Sequence, residues 1–372
     1  MKRIVTALLA ILAAKFLVAV EEPAPSSSTK PEAGLAKELE SYFDSLVAEN
    51  KLSGVVLVAR DGKTVASKAA GIANKTTNAP IDLNTKFNLG SMNKMFTAVA
   101  IAQLAQAGKL SFNDPVGKHL PDYPNKEVAE KVTIHHLLTH TSGMGSYWGE
   151  KFAAQRDKLL TVASYLPLFA AEPLSFPPGE KFQYSNSGFL LLGAIVEKVS
   201  GQDYYSYVQE HIFKPAGMND TGFYEPGKEI PNLAIGYTKM SPQGQPQEEI
   251  RDNTNLREVR GGPAGGGFST APDLVKFQQA LFSSKLLDKT HTELVTTGKV
   301  EGPRGMGKYG YGFGDNNSGG KHSVGHNGGA PGIAADLQMF PESGYTAVAL
   351  MNTDPPALMP VAKAIRERIP AK

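Results

Sequence analysis

The chain has 372 residues, 41% of them hydrophobic and 20% charged, with a formal net charge of +2 and no cysteine. Such a composition belongs to a globular chain with a sizeable core, and the missing cysteines exclude disulfides, thiolate catalysis, cysteine-based metal sites and a cysteine-linked lipid anchor. No long basic run is present, so nucleic acid is not expected as a partner.

Met1-Lys2-Arg3, the apolar run from Ile4 to Ala14, Lys15 and a shorter apolar stretch to Val20 have signal-peptide architecture. Val20 is large for a cleavage site and Lys15 interrupts the apolar run, so residues 1–20 read either as a signal peptide or as an N-terminal anchor. The second is short for a bilayer crossing of ~20 residues. Export to the periplasm or the medium is the expectation, with membrane association only through this segment. Residues 21–34, rich in Pro and Ser, read as a flexible linker, and residues 35–372 as the folded domain.

Leu35, Leu39, Tyr42, Phe43 and Leu46 recur at helical spacing and predict an amphipathic helix up to Lys51. Val55–Ala59 and Thr64–Ala69 flank Asp61-Gly62, a hairpin signal. A second hairpin is predicted from Gly332–Phe340 and Tyr345–Met351 around Pro341-Glu342-Ser343-Gly344, followed by a last helix over 356–369. Both ends thus supply strands and a helix, while the middle is mainly helical. The predicted architecture is a mixed α/β (α+β) domain with a sheet built from both termini, flanked by helices, and a largely helical insertion.

Chemistry concentrates in three clusters. Ser91 and Lys94 head an apolar-periodic segment after Phe87-Asn88-Leu89-Gly90, and residues three apart on a helix share a face. A serine hydroxyl needs a neighbouring base to become a nucleophile, and an amine kept neutral can serve. The bland alternative is an N-cap serine followed by a solvated lysine. In the second cluster, Phe182 to Gly188, Tyr184 and Asn186 sit on the turn before an apolar helix over 189–199. A phenol beside a lysine ammonium is stabilised as phenolate and could exchange a proton with serine; the alternative is a buried tyrosine with Asn186 capping the helix. The third is Gly325-His326-Asn327-Gly328-Gly329-Ala330-Pro331-Gly332, whose glycines let a strand edge approach a ligand and present an amide to an oxyanion.

In this order and context, Ser91-x-x-Lys94, Tyr184-x-Asn186 and His326-x-Gly328 resemble the class C β-lactamase superfamily of penicillin-recognising serine hydrolases. That group includes D-Ala-D-Ala carboxypeptidases, D-aminopeptidases and β-lactamase-like carboxylesterases. Two further segments, Val132 to Gly143 and Gly261 to Thr270, look like the same superfamily. The resemblance implies the β-lactamase/transpeptidase-like fold and an acyl-enzyme mechanism on an amide or ester, with neither metal nor cofactor. It implies Ser91 as nucleophile, Lys94 as its amine partner and Tyr184 as general base. Asn186, His326 and Gly328 would bind substrate, and the backbone N–H groups of Ser91 and Gly329 would form the oxyanion hole.

The third motif of the best-known β-lactamases begins with lysine, and this chain has His326. Histidine is mostly neutral near pH 7, so peptidase or esterase activity is expected over efficient β-lactamase activity. A catalytically silent binding or scaffold protein that kept the fold is the alternative. His135, His136 and His140 lack the glutamate of a zinc-binding H-E-x-x-H and read as structural. No G-x-S-x-G elbow is present.

Overall fold

A computed structural model describes residues 29–241, 245–303 and 307–371. The leader assigned to 1–20 and the linker up to residue 28 lie outside the described residues. Helix α1 spans Thr29–Ala48, so residues 29–34, expected as linker, are helical. Glu32 in the first turn complements the positive helix end, and Pro31 lacks only an amide that a first turn leaves unpaired. Leu35, Leu39, Phe43 and Leu46 form the buried stripe of this helix. Among the described residues no helix is long and apolar enough to cross a membrane.

Strands β1 (Gly54–Arg60) and β2 (Lys63–Ala70) form the first hairpin. Its turn residues Asp61 and Gly62 have φ of 48° and 78°, the all-positive turn that matches strand twist. Helix α2 (Lys94–Gln106) follows; ten of its thirteen residues are buried, which makes it a central core helix rather than an amphipathic surface one. Phe96 on α2 meets Phe213 and Phe277 edge-on, each with ring centroids 5.0 Å apart. Helix α3 (Asn186–Ser200) packs beside α2, and α4 (Ala271–Phe282) starts at a Thr270 cap. The short pair Phe87–Asn88 with Phe268–Ser269 ties the start of the mainly helical middle to its end.

The carboxyl-terminal strands are β3 (Val300–Glu301), β4 (Lys308–Tyr309), β5 (Gly314–Ser318), β6 (Lys321–Ala330), β7 (Ile333–Phe340) and β8 (Tyr345–Met351). Among the described residues they join the first hairpin in an eight-stranded antiparallel sheet of order β2-β1-β8-β7-β6-β5-β4-β3. β7 and β8 are buried at every position, as a strand covered on both faces must be. One face, with Val56, Val58, Ala334 and Ala349, packs against α1 and the last helix α5 (Leu358–Arg368). The other, with Val55, Leu57, Leu337 and Val348, packs against the helical middle. β6 pairs with β5 only as far as Gly325. Among the described residues the outer edge from His326 to Ala330 is therefore left without a strand partner, and the turn carrying Ser91 docks there.

Candidate active site

Ser91 lies on a short 3-10 turn, Gly90–Asn93, directly before α2 rather than within the α-helix proper. Gly90 holds φ at +50°, a conformation that side chains rarely adopt. The turn is fixed by two asparagines that the sequence pattern did not single out. Asn88 Oδ1 accepts from the Gly90 amide at 2.9 Å, and Asn88 Nδ2 donates to the Gly266 carbonyl at 3.2 Å. Asn93 Oδ1 accepts from the Gly267 amide at 3.0 Å. The glycine loop of residues 261–267 is thus the back support of the nucleophile turn.

Lys94 is fully buried. Its Nζ donates to the Ala264 carbonyl at 2.6 Å and to Asn186 Oδ1 at 2.8 Å, and lies 3.3 Å from Ser91 Oγ. Burial pushes its pKa down to about 7, while the carboxylate of buried Glu258 pulls it back up. Glu258 accepts a hydrogen bond from Tyr147 at 2.7 Å, and burial raises its own pKa. Glu258 carries no local sequence signal, and Ala264 lies in the glycine-rich segment 261–270; both reach Lys94 through the tertiary fold.

Ser185, not Asn186, caps α3: its hydroxyl accepts from the Gly188 amide at 2.9 Å. Asn186 is thereby free to point into the site, with Oδ1 on Lys94 and Nδ2 donating to Ser146 at 3.2 Å. Tyr184 is hydrogen-bonded to Ser91, and Lys94 Nζ lies 4.8 Å from its ring centroid. Although 37% of the side chain is exposed, desolvation raises the phenol pKa, and the Ser91 hydrogen bond only partly opposes it. The resting site therefore pairs a neutral phenol with a readily deprotonated amine.

The β6 edge closes the other side. A methyl group on Gly328 would lie 1.9 Å from the Leu89 carbonyl oxygen and 3.1 Å from the Ser91 nitrogen. One on Gly90 would lie 2.9 Å from the Gly329 nitrogen. The two backbones can approach this closely only because both residues are glycines. In the β6–β7 hairpin, Ala330 pairs with Ile333 across the two-residue turn and Gly329 pairs with Ala334. Because antiparallel pairs alternate between hydrogen-bonded and open, Gly329 directs its amide away from β7. Gly329 and Ser91 line one cleft of about 230 Å³, together with Tyr184 and His326.

His326 lines this cleft, with its ring nitrogens engaged inside the protein. It is 7% exposed, its Nε2 is 2.9 Å from the Tyr309 hydroxyl, and its Nδ1 bonds the Asn327 carbonyl. Both nitrogens are committed within the protein, and burial, reinforced by Lys94, pushes its pKa down to about 3. The three histidines of the 132–143 segment also have separate partners. His135 pairs with Tyr311, His136 accepts from the Thr133 amide, and His140 accepts from the Ser185 amide. Among the described residues no group of three or more His, Cys, Asp or Glu side chains is placed to hold a metal ion.

Comparison with known proteins identifies the family. The family model described as Beta-lactamase matches residues 39–370. A penicillin-binding protein of Bacillus subtilis (strain 168) is 32% identical, over 86% of this chain and 72% of its own length. Esterase EstB of Burkholderia gladioli is 34% identical over 59% of each chain. The crystal structure of a penicillin-binding protein from Bacillus halodurans, 33% identical, superposes with a TM-score of 0.76 over 87% of this chain and 99% of that one. With an antiparallel sheet assembled from both termini and a serine, a buried lysine and a tyrosine meeting at its edge, this chain belongs to the beta-lactamase family of serine hydrolases.

Proposed function

We propose that the protein hydrolyses an ester or amide through an acyl-enzyme on Ser91, with Lys94 as the base that activates it and Tyr184 as the proton donor to the leaving group. The donor count at Lys94 Nζ carries this assignment. A neutral amine has two N–H bonds and one lone pair. The Ala264 carbonyl and Asn186 Oδ1 take the two N–H bonds, so the lone pair is left for the Ser91 hydroxyl.

In acylation the Ser91 proton passes to Nζ as Oγ bonds the substrate carbonyl carbon, and the oxyanion is held by the amides of Ser91 and Gly329. Such a donor contributes on the order of 3 kcal/mol to the barrier. Collapse breaks the bond to the leaving group, which takes the Tyr184 proton; the phenolate left behind is reprotonated by the Lys94 ammonium. Water then attacks the acyl carbon with its proton drawn into the same Tyr184–Lys94 pair, and Ser91 leaves as the hydroxyl. Asn186 keeps one amide N–H for a substrate carbonyl, and Gly328 lets the β6 edge lie against the substrate.

Neutral His326 puts no cation on the stretch of β6 that lines the cleft, which favours esters and peptides over substrates anchored there by a carboxylate; an esterase among the relatives fits that preference. Export, through the leader at residues 1–20, is proposed on its charge and hydropathy pattern.

Intact mass spectrometry after treatment with a fluorophosphonate tests the nucleophile. A single adduct is expected on the wild type and none on Ser91→Ala; no wild-type adduct, or equal labelling of both, overturns the assignment. A panel of nitrophenyl esters, D-Ala-D-Ala peptides and a chromogenic cephalosporin tests the preference, and fastest turnover of the cephalosporin would refute it.

A further inference from the structure

We propose that Tyr309 is a positioning residue for the active site: its hydroxyl, shared between His140 and His326, ties the wall bearing Tyr184 and Asn186 to the β6 edge bearing Gly328 and Gly329.

The proton positions along this path are determined. The Ser185 amide donates to His140 Nδ1 at 3.0 Å, so that nitrogen carries a lone pair and the His140 proton resides on Nε2. His140 Nε2–H then donates to the Tyr309 oxygen at 3.2 Å. At the other end, His326 Nδ1 faces the Asn327 carbonyl, which can only accept, so Nδ1 is the protonated nitrogen. Nε2 is left bare, and the Tyr309 O–H donates to it at 2.9 Å. From Ser185, beside Tyr184, to Asn327, beside Gly328, every donor meets an acceptor in a single arrangement.

All three side chains are buried, where an orphaned polar group costs about 1–3 kcal/mol. His140 also holds a left-handed backbone, φ 59°, which a non-glycine residue keeps only when its surroundings demand it. Its ring lies 4.1 Å, centroid to centroid, from that of Tyr184, so the position of the relay is passed to the catalytic phenol by direct packing.

Burial is the main reason that the relay is neutral. Lys94 and Tyr184 lie on the cleft side, and Asp336 and Arg366 line the cavity behind His326. Burial and Lys94 push the pKa of both histidines down, and burial pushes that of Tyr309 up. The relay thus carries no charge near neutral pH; it acts by holding two walls in register. A displacement of about 1 Å in such a site can lower the rate about 100-fold.

Tyr309→Phe removes the shared oxygen and orphans both histidine Nε2 positions. Expected is a kcat about 10- to 100-fold lower with KM changed far less. Tyr311→Phe is the matched control: Tyr311 bonds His135 at 2.9 Å on the same segment without lining the Ser91 cleft, and should leave kcat and the pH profile unchanged. Nitrogen-15 NMR of wild-type imidazoles should show His140 protonated on Nε2 and His326 on Nδ1, with no titration between about pH 5 and 9. The inference is overturned by the Nε2–H form of His326 in the wild type, by wild-type kinetics in Tyr309→Phe, or by equal losses in both variants. The kinetic arm rests on the hydrolase reading; if wild-type Ser91 takes no fluorophosphonate, that reading fails while the NMR result still decides the relay.

Discussion

Replacing Lys94 by Met tests the buried amine directly, since Met keeps most of the stem's volume and removes the titrating group. The ordinary lysine pKa of 10.5 falls to about 7 in the folded chain. Between those two values the unfolded chain holds a proton that the folded chain has released. Unfolding therefore takes up a proton, and stability must rise with pH through this window, by about 1.4 kcal/mol per pH unit for one group. The Met variant lacks this contribution. It also leaves the Ala264 carbonyl and Asn186 Oδ1 without their donor, a loss that does not depend on pH. The stability difference between wild type and Lys94→Met should consequently grow by about 2.7 kcal/mol from about pH 7.5 to 9.5 in favour of the wild type, and flatten below about pH 7. Urea unfolding at fixed ionic strength across that range measures it. Parallel curves for the two proteins would show that Lys94 titrates as it does in water, and the proposed base would lose its physical footing. Loss of activity in the variant is expected but does not discriminate.

The wild-type kcat/KM should rise with pH through about 7 as Lys94 loses its proton, and an activity that falls across this range would exclude the neutral amine as base. Tyr184→Phe should lower kcat by about 100- to 10,000-fold, the usual contribution of a proton-transfer group, with substrate affinity less affected; steady-state kinetics with an ester substrate checks both. Gly328→Ala drives a methyl group into the Leu89 carbonyl, so Ser91 labelling by fluorophosphonate should be slowed strongly, and unchanged labelling would contradict the contact between β6 and the nucleophile turn. Asn93→Ala leaves the buried Gly267 amide without its acceptor, which should cost about 1–3 kcal/mol in urea unfolding; a neutral result would mean that the turn does not depend on this bond.

The amino-acid sequence determined those features whose causes are local. Apolar periodicity set α1, the two hairpins and the last helix, and the Asp61-Gly62 turn followed from residues that tolerate positive φ. The three-residue spacing of Ser91 and Lys94 brought hydroxyl and amine together even though the turn between them is 3-10. Where a local choice had two answers the pattern was less decisive: the helix cap fell to Ser185 instead of Asn186, and α1 began within the stretch expected as linker. What tertiary structure alone decided is the chemistry of the groups. The Ala264 carbonyl lies 170 residues from Lys94 in the chain, Asn88 and Asn93 act only because residues 261–267 pass behind them, and Tyr309 meets His140 and His326 only after β4 and β6 are laid into the sheet. The depressed pKa of Lys94 has the same origin. Desolvation depends on every segment that covers a group, and for Lys94 these include segments about 90 and 170 residues away in the chain.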